Sequence, residues 1–206
     1  MLRIWGRNNS VNVQKALWCC EEMELPYQRI DAGGKFGVVN TQQYRNMNPN
    51  GLVPTIEEGG FVLYESNAVV RYLAARHSAG KLWPEDLKTR AEADKWMDWY
   101  ATTFWPTFRP LFWNLVRTPV DQRDAAAMEE SRLKTAEILG YLDSQLKNRA
   151  YVVGDELTMG DIPMGCGIWR WFGLEIERPE MPHLKRWFDA LSARPAYKKI
   201  VLLPLT

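Results

Sequence analysis

Histidine, cysteine and long apolar runs are all scarce in this chain, and each scarcity removes a class of function. With two histidines and no spaced Cys/His cluster, the usual zinc ligand sets are missing and no metal is expected. The three cysteines include the adjacent pair Cys19 and Cys20, which makes no disulfide framework. No apolar stretch approaches the ~20 residues that cross a bilayer, and the first residues, Met1 to Gly6, lack the apolar core of a signal peptide. A cytoplasmic protein with no membrane partner is the expectation. Charge of one sign is also lacking: 26 Lys and Arg against 25 Asp and Glu leave a formal charge of +1, so nothing draws the whole chain toward nucleic acid. Repeats and low-complexity tails are absent.

What remains is rich in packing material. The 206 residues are 46% hydrophobic, enough for two small domains, and ten are tryptophan. Several aromatics cluster at Trp96, Trp99, Tyr100, Phe104 and Trp105, which reads as core or as the lining of an aromatic pocket.

The first part alternates short strands with helices. Leu2 to Trp5 and Pro26 to Ile30 are strand candidates, separated by a helix in which Val13, Ala16/Leu17, Cys20 and Met23 recur at helical spacing. Cys20 falls on the apolar face of that helix as a small hydrophobe, with Cys19 pointing elsewhere. Asn48 to Ala68 then reads as turn, strand, turn, strand, helix. Pro54 has no N–H for a ladder and belongs at a strand start; Gly59-Gly60 supports a tight hairpin; Glu65-Ser66 enters a helix whose N-terminus is a ready anion site. A linker over 78–86 follows, and residues 87–206 read as helix throughout. Pro106 and Pro110 should kink or divide the stretch from Leu87 to Val116. In the next helix Leu133, Ala136/Glu137, Gly140/Tyr141 and Gln145 mark successive turns. Thr158 and Asp161 have capping-box spacing, with Thr158 accepting from first-turn amides and Asp161 reaching back. Leu184, Trp187/Phe188 and Leu191 define a last helix, ended at Arg194-Pro195.

The order strand, helix, strand, hairpin, helix resembles a thioredoxin-like domain with a mixed four-stranded sheet, βαβ-ββα, over residues 1–77. The Val53-Pro54 then Glu65-Ser66 combination resembles that of the glutathione transferases, and the resemblance extends over essentially the whole chain, with Gly154 to Asp161 similar to a folding motif of that family's all-helical domain. It implies a cis Pro54, a Val53 whose main-chain N–H and C=O pair with the cysteinyl part of glutathione, and a Glu65-Ser66 pair that holds the γ-glutamyl end. It also implies a homodimer. Lys35 and Asn40 fall where the family supplies a group to the glycyl carboxylate. Trp105, Phe108, Arg109 and Trp113 fall where the helical domain holds an apolar electrophile.

Ser10 opens the first helix. By spacing alone it is an N-cap; within the resemblance its hydroxyl donates to the glutathione sulfur, as in theta-like, phi-like and many bacterial members. A thiol of pKa about 8.5 needs roughly 2.7 kcal/mol of thiolate stabilisation to move down two units. A hydrogen bond to a charged acceptor supplies about 1.5–3 kcal/mol and a helix N-terminus about 0.3–1, so no general-base histidine is needed. Asn12 is the rival contact to sulfur, since in some bacterial members a residue pair at this spacing accompanies disulfide or peroxide reduction. The Ser10 position holds no cysteine, unlike glutaredoxin-like and omega-like members. The expected activity is conjugation of glutathione, the co-substrate, to a detoxification-type electrophile. The alternatives are a glutathione-dependent disulfide or hydroperoxide reductase and a non-catalytic scaffold.

Overall fold

The computed structural model describes residues 1–206. Strands β1 (Leu2–Trp5), β2 (Tyr27–Ile30), β3 (Thr55–Glu58) and β4 (Phe61–Tyr64) form one sheet in the order β2-β1-β3-β4. β1 runs parallel to β2, with Ile4 opposite Arg29, and antiparallel to β3, with Ile4 opposite Ile56. The expected mixed sheet is therefore present. The parallel pair needs a crossover, supplied by α1 (Val11–Glu22), whereas β3 and β4 need only the turn at Gly59-Gly60. α2 (Gln42–Met47), capped by Thr41 Oγ1 accepting from Tyr44 N–H, and α3 (Ser66–His77) complete this half.

The remainder is helical: α4 (Leu87–Trp99), α5 (Trp105–Val116), α6 (Ala125–Gln145), α7 (Asp161–Phe172), α8 (Pro182–Ala193) and α9 (Pro195–Ile200). Asp86 and Asp124 cap α4 and α6 through Thr89 N–H and Ala127 N–H. Between α4 and α5 the helix widens to a π-helical stretch, Tyr100–Phe104, which ends two residues before Pro106. Pro110 sits inside α5, and its missing N–H is accompanied by a local repair. The Ser131 hydroxyl of α6 inserts into the ladder, accepting from Leu111 N–H at 3.2 Å and donating to Thr107 C=O at 2.5 Å.

One cluster of 43 buried hydrophobic residues runs from Leu2 to Val201, so the sheet half and the helical half share a core. α1 lies at its centre, packed against α3, α7 and α9. Close approach of α7 depends on glycine: a Cβ on Gly165 would lie 2.8 Å from the Trp18 ring, and one on Gly167 would lie 2.6 Å from both Phe104 and Tyr100. The same burial extends to Cys19, which faces Val70 of α3. With α1 covered on several sides, Cys19 and Cys20 are both fully buried, and burial raises both thiol pKa values, Cys20 to about 12.

The helix expected after Pro119 is present as α6, its buried stripe formed by Ser131, Thr135, Leu139 and Leu142, with Leu133 and Tyr141 about half exposed. Two expectations need correction. Asp161 does reach back to Thr158 N–H at 2.9 Å, but the Thr158 hydroxyl is 3.2 Å from the same carboxylate and donates to it rather than accepting from an amide. Asp161 also accepts from Val152 N–H and Trp187 Nε1. Arg194-Pro195 ends α8, yet Pro195 immediately starts α9, as a proline at a first helical position allows.

Candidate active site

A cleft of about 410 Å³ opens between the sheet half and α5. Ser10, Asn12, Val53, Pro54, Glu65 and Ser66 all line it, as do Trp105, Arg109 and Trp113. Lys35, Asn40 and Phe108 do not. Lys35 is exposed on a short 3₁₀ turn, its Nζ 5.2 Å from the Phe36 ring centroid. Asn40 is exposed and accepts from Arg45 Nη2 at 3.0 Å. Phe108 is fully buried among Phe104, Phe112 and Trp171; its position on α5, one residue before Arg109, turns it to the core.

Each element brings its residue to the cleft for a local reason. Ser10 stands at the N-cap of α1 with extended backbone, but its side chain makes no capping hydrogen bond. Its hydroxyl is thus uncommitted at a helix N-terminus, only 8% exposed. The Val53–Pro54 peptide is cis. No backbone hydrogen bond uses the N–H or C=O of Val53, which lies just before β3 and so presents an open edge. Glu65 holds φ 70, on the left-handed side of the backbone map, at the sharp passage from β4 into α3. It makes no side-chain cap, so the first-turn amides of α3 keep their donors.

Beneath this wall is a buried polar chain. The Lys15 ammonium donates to Ser66 Oγ at 3.2 Å and to Asn67 Oδ1 at 3.3 Å, and lies 4.0 Å from the Tyr100 ring centroid. Ser66 Oγ in turn donates to Asn12 Oδ1 at 3.3 Å. Burial lowers the Lys15 pKa to about 7, the positive Arg170 acting in the same direction and Cys166 and Glu65 opposing it. Arg170, 4% exposed, donates to Gln14 Oε1 at 2.9 Å and Cys166 C=O at 2.8 Å, joining α7 to α1.

Sequence reasoning missed Lys15, Arg7 and Arg117. Arg7 and Arg117 line the cleft. Arg117 had a readable signal, because Trp105, Arg109, Trp113 and Arg117 recur every four residues. Arg7 and Lys15 had none, since their placement depends on what packs against the loop after β1 and on the burial of α1.

Comparison with known proteins agrees with this two-part architecture. The glutathione S-transferase N-terminal domain profile matches residues 9–76, and the C-terminal domain profile matches residues 96–195. Glutathione S-transferase GstB of Escherichia coli K12 is 42% identical over the full length of both chains. The theta class glutathione S-transferase of Xanthomonas axonopodis pv. citri with glutathione bound is 48% identical, with a TM-score of 0.96 over 100% of this chain and 99% of that one. Its apo form gives a TM-score of 0.87 at 44% identity, covering 100% and 98% of the two chains. A thioredoxin-like half joined to a helical half with an open cleft between them defines the class, and this chain belongs to the glutathione S-transferase family.

Proposed function

We propose that the chain is a glutathione transferase that binds glutathione along the sheet half and conjugates its thiolate to an electrophile held by α5. The observation that carries the reading is the Ser10 hydroxyl, released from capping and lining the same cleft as the unpaired main chain of Val53. Glutathione adds as a strand against Val53. Its γ-glutamyl carboxylate meets Ser66 and the amides of α3, and its ammonium meets Glu65. Ser10 donates to the sulfur and favours the thiolate, which then needs only a correctly placed electrophile. Residues 1–77 hold glutathione, 78–86 link, and 87–206 supply the co-substrate wall. The working form is a cytoplasmic homodimer with a detoxification role, supported by family membership; no helix is long and apolar enough to cross a membrane.

Calorimetry with glutathione tests the assignment. Glu65→Ala is expected to weaken binding about tenfold or more. Ser10→Ala should bind nearly as wild type but conjugate roughly 10- to 100-fold more slowly near pH 6.5, the loss expected from one charge-assisted hydrogen bond. Absence of glutathione binding by the folded wild type would end the reading.

A second reading, reduction of disulfides or hydroperoxides with two glutathione equivalents, draws on Asn12, which lines the cleft two residues from Ser10. Asn12→Ala should then harm reduction more than conjugation; equal effects would exclude it.

A further inference from the structure

The co-substrate side of the cleft carries positive charge that nothing in the chain neutralises. Trp105, Arg109, Trp113 and Arg117 alternate at four-residue intervals, which stacks them along one face of α5 and its C-terminal end. The guanidiniums of Arg109 and Arg117 lie 4.8 Å and 5.3 Å from the Trp113 ring centroid. Stacking of this kind orients a guanidinium while leaving its N–H edge free. Arg7 reaches the same cleft from the loop after β1, packed over Gly33 and Gly34.

These three stand apart from the rest of their kind. Every other arginine in the chain donates to a carboxylate or a main-chain carbonyl. Arg7, Arg109 and Arg117 enter none of the chain's ion pairs. They also repel: the Arg117 pKa is lowered first by burial and then by the positive Arg7. Glutathione accounts for only part of this charge. Its γ-glutamyl carboxylate is taken by Ser66 and α3, and its glycyl carboxylate needs one cation, since Lys35 lies outside the cleft. Arg7, from the sheet half, can meet that need, which leaves Arg109 and Arg117, on α5 and its C-terminal end.

Resting on the glutathione transferase reading, we infer that the co-substrate is a flat electrophile bearing a carboxylate, its ring laid against Trp105 and its anion held by Arg109 and Arg117, which Trp113 orients by stacking. Trp105 is the apolar surface expected from the aromatic content, and the arginines select within aromatic electrophiles. In the reaction with an aryl chloride, the thiolate electron pair forms a C–S bond at the ring carbon, chloride leaves with the C–Cl bonding pair, and the thiol proton passes to solvent.

Chlorodinitrobenzene and chlorodinitrobenzoate differ by one carboxylate and make a matched probe. Calorimetry measures binding of their S-aryl glutathione conjugates to the full chain, and initial rates give kcat/KM for the two chlorides. The carboxylate form is expected to be preferred roughly tenfold or more, with the preference shrinking as salt rises from about 0.05 to about 0.5 M. The double variant Arg109→Gln, Arg117→Gln should bring the ratio near one. A wild-type ratio of one or below, with glutathione itself still bound, overturns the inference and leaves the transferase reading standing; this needs no variant to fold. A preference that survives in the double variant overturns the assignment to these arginines. Failure of glutathione alone to bind removes both.

Discussion

Lys15 lies directly under Ser66, shielded from water, and its protonation therefore bears on folding as well as on the site. Burial lowers its pKa from 10.5 to about 7. Between those values the unfolded chain holds a proton there that the folded chain has released, so stability rises with pH from about 7 toward 10 and is lower at and below 7. The slope from this one group is at most about 1.4 kcal/mol per pH unit. Lys15→Met should lack it. In urea unfolding at a series of pH values, the stability of wild type relative to Lys15→Met is expected to increase from pH 7 to 9; two curves that stay parallel would mean that Lys15 keeps an ordinary pKa. The same group gives a signature of binding. A carboxylate arriving at Ser66 favours the charged ammonium, so binding of S-methylglutathione, which has no thiol proton to release, near pH 7.5 should take up protons, read from calorimetry in buffers of different ionisation heat.

At the scale of the element, α5 is both wall and weak point. Ser131→Ala removes the hydroxyl that bridges Leu111 N–H and Thr107 C=O beside Pro110. The expected loss is about 1–3 kcal/mol for the stranded backbone groups, seen as a lower urea midpoint. The prolines announced the interruption in the sequence, but the serine that mends it is on another helix and carries no local mark. α6 shows a related limit. Its buried stripe holds Ser131 and Thr135, so hydrophobicity alone passes over half of the face that packs. Tyr141 packs at the edge of Trp96 and Trp99, 6.1 and 6.5 Å between ring centroids, while remaining half exposed.

Across the whole molecule, the two halves are fastened by more than the link between them. Glu22 of α1 pairs with Arg194 at 2.6 Å, Trp18 meets Tyr197 edge-on at 4.8 Å, and Arg170 donates to Gln14. A core shared in this way predicts one cooperative transition, with tryptophan fluorescence and circular dichroism superimposing in urea; two separated transitions would show the halves to be independent. Asp161→Ala should lower that single midpoint strongly, by about 3 kcal/mol or more, because Val152 N–H, Thr158 N–H and Trp187 Nε1 lose their acceptor in a fully buried place. The scale also explains what was legible. Val53, Pro54, Glu65 and Ser66 fall within one hairpin and the start of its helix, so local spacing exposes them as a set. Arg7 and Arg117 come from opposite halves and meet only once the core has closed.

Glu65 carries a consequence for how such a chain can change. Its backbone at φ 70 is one that glycine adopts without penalty and other residues adopt at a cost of about 1–2 kcal/mol. Glu65→Gly is expected to unfold no earlier than wild type while losing affinity for glutathione. Selection for durability and selection for the ligand therefore pull on this residue in opposite directions, and a lineage released from the second should drift toward glycine there.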